Sequence, residues 1–171
     1  MIFDLSQTQP GVAYKLLAAT VVPRPIAWVS TRNADGVLNA APFSFFNVMG
    51  DEPPTLAIGI NPGRRGLKDT ARNIIDTGEF VVNLVSEALA EAMNTTAIDA
   101  PPGVSEFGLA GLTPVESTQV SVPRIAQSPV SFECVNHSAI FTGPQQLLVI
   151  GRILAVHIED RFVLNEERGN A

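Results

Sequence analysis

Two stretches of this chain carry residue types at spacings that could do chemistry. The first is Ile60-Asn61-Pro62-Gly63-Arg64-Arg65-Gly66-Leu67-Lys68-Asp69-Thr70. It runs from a strand end into a helix start and holds three cations, two glycines and a hydroxyl. The first backbone N–H groups of a helix have no intrahelical acceptor. With Lys68, Thr70 and Arg64 beside them, they suit a phosphate through the helix dipole and charge-assisted hydrogen bonds. The second stretch is Asn39-Ala40-Ala41-Pro42-Phe43-Ser44-Phe45-Phe46-Asn47. Phenylalanines interleaved with Ser44 and Asn47 offer apolar walls and polar edge atoms, which a flat heteroaromatic ligand requires. Each stretch also has a plainer reading. The first is then a solvated basic loop with a Thr/Asp cap, the second a core strand with a polar edge.

Other chemistries find little support. His137 and His157 fall near strands and no nucleophile accompanies either in a motif. In Ala155-Val156-His157-Ile158, His157 is expected to alternate outward as a structural or solvated residue. Cys134 sits in Val130–Val135, a buried-strand pattern in which thiols are usually inert. One cysteine rules out an internal disulfide framework, and with two histidines it leaves no Cys/His zinc site. No metal site is expected. Neither a Gly-x-Gly-x-x-Gly following a strand nor a Walker-type phosphate loop is present.

The elements that position these stretches are short. Thirteen glycines and thirteen prolines punctuate the chain, the rhythm of an all-β or α+β domain. Strands are expected over Ile26–Thr31, Thr55–Ile60, Phe80–Val85 and Val130–Val135. Asn33-Ala34-Asp35-Gly36 reads as a hairpin turn, with return through Val37–Phe46. Leu147–Ile158 reads as one bent strand with Gly151 as its bulge. In Leu67–Thr77, Leu67, Ala71, Ile74 and Ile75 share one helical face, and Gly78 stands at the stop. Ser86 is placed to cap a short helix to Asn94, and Gly11–Thr20 is a third helix candidate. Thr95–Ser128, rich in small residues and proline, reads as a long excursion with a short strand near Leu112–Val115. It serves function, oligomer contacts, or nothing beyond surface insertion.

With 171 residues, 46% hydrophobic, the chain is long enough for one domain with its own core, expected over 1–171. Its 11 basic against 17 acidic residues give a net charge of −6. That balance, with no basic run, argues against nucleic acid and anionic membrane as main partners. The first residues lack the basic and apolar regions of a secretion signal, so a cytoplasmic setting is expected. Charged residues are 16% of the total, against about 25% in typical domains. Either part of the surface is hidden in an oligomer, or the core is unusually apolar.

Taken in order, Arg24–Thr31 (RPIAWVST), Asp35–Met49 (DGVLNAAPFSFFNVM), Pro53–Ile60 (PPTLAIGI), Lys68–Ile74 (KDTARNI) and Thr77–Ser86 (TGEFVVNLVS) form a recognisable series. The series resembles the flavin reductase-like, FMN-binding split β-barrel family, in its flavoredoxin-like branch. Phe132–Val135 and Val149–Asp160 continue the match.

The resemblance implies a mainly β, Greek-key split barrel with flanking short helices, and a homodimer with FMN near the subunit interface. Phe43, Ser44, Phe45 and Asn47 would line the isoalloxazine. Gly59, Ile60 and Asn61 would approach the ribityl chain. Lys68, Asp69 and Thr70, helped by Arg24 or Arg64, would meet the phosphate. The implied activity is hydride or electron transfer between NAD(P)H and flavin, with the chemistry carried by the flavin and no catalytic side chain. The alternatives are a flavoredoxin-like electron carrier that works with a redox protein partner, and a binding module that has lost flavin. One departure stands out. Many flavin reductases place a histidine in a Gly-x-His-like turn before the strand that here begins at Leu147, where this chain reads Gly143-Pro144-Gln145-Gln146. Relatives commonly continue beyond the position of Ala171, so either the native chain is longer than these residues or that tail is absent.

Overall fold

A computed structural model describes residues 1–9, 11–101 and 103–171. Helix α1 (Val12–Thr20) precedes four strands: β1 (Ala27–Arg32), β2 (Leu38–Phe43), β3 (Phe46–Asp51) and β4 (Pro54–Ile60). Helix α2 (Asp69–Thr77) leads into β5 (Glu79–Asn83). Two short helices, α3 (Ala90–Thr95) and α4 (Glu106–Leu109), and a two-stranded ribbon, β6 (Pro114–Val115) with β7 (Arg124–Ile125), fill the next stretch. The long hairpin of β8 (Val130–Gly143) and β9 (Gln146–Ile158) completes the fold.

Seven strands form one antiparallel sheet in the order β2-β1-β5-β8-β9-β4-β3. The two edge strands, β2 and β3, are consecutive in the chain, separated only by Ser44 and Phe45. Two residues cannot span an open sheet of seven strands, so the sheet must curl until its edges meet. It does so incompletely. The Gly59 N–H of β4 donates to the Phe45 carbonyl at 2.7 Å across the seam, but β2 and β3 share no ladder. The result is a mainly β split barrel, as expected.

The barrel interior follows period-two alternation. Leu56, Ile58 and Ile60 of β4 point inward, with Val29, Phe80 and Val149 from the facing strands. Ala71 and Ile74 bring α2 onto the same core. α2 ends at Gly78, whose φ of 74° supplies the left-handed stop and whose N–H donates to the Ile74 carbonyl at 3.0 Å. The Asn33–Gly36 turn also forms as expected: Gly36 has φ 85° and the Asn33 side chain accepts from the Val37 N–H at 2.8 Å.

Several expectations are corrected. Val37–Phe46 is interrupted at Ser44 and Phe45, where the seam lies. Ser86 makes no side-chain cap; the segment enters α3 through a 3₁₀ turn at Glu87–Leu89. Gly151 is not a bulge. It stays in register opposite Asn136, while the register shifts fall between Glu133 and Cys134, between Asn136 and Ser138, and between Phe141 and Gly143. The glycine is required by packing, since a Cβ at 151 would sit 2.4 Å from Phe80 Cζ.

The Thr95–Ser128 excursion is a cover rather than a loose insertion. Met93, Phe107, Leu112 and Ile125 close a second apolar cluster over Trp28 and Ala40, on the outer face of β1 and β2. The Trp28 indole N–H donates to Thr96 Oγ1 at 2.8 Å. Four successive N–H groups at its far end meet carboxylates. Glu133 accepts from Thr118, Gln119 and Val120, and Glu79 from Ser121.

Candidate functional site

Two cavities open beside the seam, and they share the walls Pro42, Pro62 and Lys68. The wider, of about 720 Å³, lies between α1 and the β2–β3 connection. Phe43, Ser44, Phe45, Gly59 and Asn61 line it, with Tyr14 and Leu17 from α1 and Gln146 from the start of β9. The narrower, of about 320 Å³, lies between the Pro62–Lys68 loop, the start of α2 and the Thr96–Ala100 segment.

The wider cavity owes its shape to residues that remove backbone conflict. Pro42 sits in edge strand β2, where its missing N–H leaves no ladder bond unmade on the seam side. Gly59 lets the Phe45 carbonyl approach, because a Cβ there would lie 3.1 Å from Phe45 Cβ. Gly66, at φ 99°, turns the basic loop, and a Cβ there would meet the Gln145 side chain at 3.1 Å. The β8–β9 turn therefore packs on the basic loop through Gln145, while Gln146 reaches the wider cavity. The Gly143–Gln146 turn, noted in the sequence for lacking a histidine, thus borders the site.

The narrower cavity concentrates charge. Arg64, Arg65, Lys68 and Arg72 all line it. Arg65 donates to Asp99 at 3.0 Å and to the Ala100 carbonyl; Arg72 pairs with Asp69 one turn earlier on α2. Among the described residues, Arg64 and Lys68 pair with no carboxylate. Lys68 is the N-cap of α2, in extended conformation and with no side-chain cap bond. Its Nζ lies over the Phe43 ring, 5.4 Å from the centroid, at the junction of the two cavities.

Thr70 is almost fully buried and its hydroxyl accepts from Asn39 Nδ2 at 2.9 Å. Asn39 and Asn73 both donate to Thr31 Oγ1, at 3.3 and 3.0 Å. This network ties the first turn of α2 to β1 and β2, so the helix N-terminus is held rigidly against the cavity. Glu106 of α4 lines the same cavity while accepting from the Ala40 N–H at 3.2 Å. Burial pushes its carboxyl above the usual range, against its backbone hydrogen bonds, and the nearby Asp69 adds to the rise.

Of the residues singled out in the sequence, Phe43, Ser44, Phe45, Gly59 and Asn61 meet in the wider cavity, and Arg64, Asp69 and Thr70 in the narrower, with Lys68 in both. Arg24, Asn47 and Ile60 line neither. The Arg24 guanidinium donates to the Ala18 carbonyl at 2.6 Å, to the Val21 carbonyl, and to Ser44 Oγ at 3.3 Å. Asn47 turns its amide oxygen to the Val48 N–H on exposed β3. Ile60 is fully buried in the barrel. Sequence reasoning missed Tyr14, Gln146 and Glu106. Only the glutamate, followed by Phe107 and Leu109, carried a local signal of burial.

His157 takes the structural rather than the solvated of its two expected roles. Its Nε2 bonds the fully buried Glu133 carboxylate across the β8–β9 ladder. Cys134 is buried, and desolvation, with the Glu133 charge beside it, raises its thiol pKa. Among the described residues no group of three or more His, Cys, Asp or Glu side chains could hold a metal. None of the helices among them is long and apolar enough to cross a membrane.

Comparison with known proteins places this geometry. The model of the flavin reductase like domain matches residues 19–168. An uncharacterized protein of Aquifex aeolicus is 48% identical over 164 residues, covering 95% of this chain and 83% of the relative. The crystal structure of nitrilotriacetate monooxygenase component B from Bacillus cereus superposes with TM-score 0.93 at 36% identity, covering 99% of this chain and 85% of that one. The Pseudomonas fluorescens 2-nitrobenzoate 2-nitroreductase superposes with TM-score 0.90 at 34% identity, covering 100% and 82%.

Proposed function

Given that the chain belongs to the flavin reductase-like family, we propose that it is an FMN-binding oxidoreductase that takes reducing equivalents from NADH or NADPH. The observation that carries this reading is the pair of cavities joined at Lys68. One has aromatic walls and the other two cations without carboxylate partners. A flavin mononucleotide has the same polarity: a flat ring system at one end and a phosphate at the other.

In this reading Phe43 and Phe45 flank the ring, and Ser44, Asn61 and backbone groups at the seam meet its polar edge. Gly59 leaves room beside the ribityl chain. Lys68 and Arg64 hold the phosphate at the N-terminus of α2, where the dipole adds to their charge. Asp69 stays paired with Arg72, which lowers its repulsion toward an anion. Bound flavin supplies the two-electron redox chemistry, so the side chains need only bind, orient and exclude water.

The homodimer and a cytoplasmic setting belong to the same proposal. The exposed Val48 and Met49 of β3 and Ile140 and Phe141 of β8 support the dimer, because apolar side chains grouped on strands mark contact surfaces. Light scattering should then give about 36 kDa, twice the 18.2 kDa chain.

A second reading is favoured by Gln146. With glutamine bordering the ring cavity in place of a histidine, the chain would carry electrons from a protein partner without oxidising NAD(P)H itself. The two solved relatives, a monooxygenase component and a nitroreductase, suggest a partner oxygenase or a nitro compound as acceptors. Anaerobic mixing of the FMN-loaded protein with NADH or NADPH decides. Bleaching of the yellow band within seconds supports the reductase; a flavin reduced by dithionite but by neither nucleotide supports the carrier. A purified protein that binds no flavin would sink both.

A further inference from the structure

Helix α1 is unusual in what it lacks. None of its residues from Val12 to Thr20 is buried. Its N-cap, Gly11 at φ 83°, provides no side-chain cap. A nine-residue helix without a core to pack on is marginal in water, so it must be held by specific contacts. Those contacts converge on one place. The Tyr14 ring meets the Phe45 ring at 6.0 Å and an interplanar angle of 51°. The Arg24 guanidinium takes the Ala18 and Val21 carbonyls at the helix end and, through Nε, Ser44 Oγ. Both anchors therefore end on Ser44 and Phe45, the floor of the wider cavity.

The side of α1 facing that cavity carries Ala13, Tyr14 and Leu17, at spacings of three and four residues. Tyr14 remains 55% exposed and Leu17 46% exposed. A large apolar side chain left half bare on a helix with no buried residue is in place to contact whatever fills the cavity. The tilted Tyr14–Phe45 pair stands toward the wide end of the roughly 4.5–7 Å range of aromatic pairs, so a modest shift of α1 admits a flat ring against Tyr14.

We propose that α1 is the movable outer wall of the ring cavity and that Tyr14 stacks on the bound flavin ring, with Arg24 as the positioning residue that tethers the wall to Ser44. The inference rests on the flavin reading above, but it concerns residues outside the strand-borne set.

Binding is measured by fluorescence titration of FMN and of riboflavin with wild type, Tyr14→Ala and Tyr14→Phe. Tyr14→Ala is expected to weaken both ligands by the same factor, about two- to tenfold, since one aromatic contact is removed and the phosphate contacts are not. Tyr14→Phe keeps the ring and should bind within about twofold. It removes the phenol that donates an electron to an excited flavin, so the bound flavin should fluoresce more strongly and for longer. Amide exchange across 12–20 should slow when wild type binds FMN. Thermal midpoints of the apo-proteins should match closely, because no residue of α1 is fully buried and Tyr14 is 55% exposed. Unchanged riboflavin affinity in Tyr14→Ala, or unchanged emission in Tyr14→Phe, overturns the inference and leaves the flavin reading standing. Absence of flavin binding in wild type overturns both.

Discussion

Lys68 offers the sharpest test of the site. Its ammonium has no carboxylate partner among the described residues, stands at the N-cap of α2 and borders both cavities. In the free protein its company is the Phe43 ring at 5.4 Å. That contact contributes about 0.5–1 kcal/mol, part of which is given up when a phosphate draws the ammonium away. A charge-assisted hydrogen bond to the phosphate contributes about 1.5–3 kcal/mol. The net difference of about 1–2 kcal/mol predicts that Lys68→Ala weakens FMN about five- to thirtyfold, since 1.4 kcal/mol is one decade. Riboflavin, which lacks the phosphate, should change by less than about twofold, the loss of one partly exposed cation–π contact being absent from its binding. Flavin fluorescence titrations at low and high salt give both constants, and the FMN effect should shrink as salt rises. Equal loss for the two ligands, or loss for neither, refutes the assignment. The phosphate would then lie elsewhere, and Arg64→Ala would be the next variant to examine.

The other predictions concern the frame around the site. Burial pushes the Glu133 carboxyl up, but the Thr118 and Gln119 N–H groups, His157 and the Thr118 hydroxyl outweigh it and hold its pKa at about 2, against an ordinary 4.5. A depressed folded pKa gives stability that is complete above the unfolded value and is lost as pH falls from 4.5 toward 2. The difference is worth about 3 kcal/mol at about 1.4 kcal/mol per unit. Urea midpoints should fall across that window in wild type and much less in Glu133→Gln; parallel pH profiles would show that Glu133 is not the group responsible. Gly151→Ala drives a Cβ to 2.4 Å from Phe80 Cζ in the closed core and should cost about 1–3 kcal/mol, read as a lower thermal midpoint. Cys134, buried with its thiol pKa raised, should react with a thiol reagent only after unfolding, and fast labelling of the native protein would contradict the packing.

What was legible in the sequence is local. The Asn33–Gly36 hairpin, the Thr55–Ile60 strand and the Gly78 stop each depend on neighbours within a few residues, and each formed as read. The site's strand and its basic loop were legible for the same reason. What failed depends on closure. Nothing local to Val37–Phe46 says that the strand must break at Ser44; the break follows from β2 and β3 taking opposite edges of a curling sheet. Trp28 lies on β1, yet Thr96, which accepts its indole N–H, lies about seventy positions on, so its role could not be read from composition. Arg24 looked available for a phosphate because its acceptors, Ala18, Val21 and Ser44, are backbone and hydroxyl groups without sequence signature.

The seam also explains why an acidic chain gathers unpaired positive charge where it does. Closing a barrel by pairing β2 with β3 would bury the edge groups of both strands in a ladder. Here Pro42 lacks an N–H to offer, and one bond, Gly59 to Phe45, bridges the gap. The remaining edge atoms stay available along a groove already walled by Phe43 and Phe45. Four of the chain's eleven Lys and Arg residues fall between positions 64 and 72, where the chain leaves β4 beside that groove and enters α2. Asp99 and Asp69 neutralise Arg65 and Arg72. Arg64 and Lys68 retain their charge at the helix N-terminus, against a background of net −6. Positive charge is thereby concentrated at that one end of the groove, beside the N-terminus of α2, while the aromatic walls of Phe43 and Phe45 line the other.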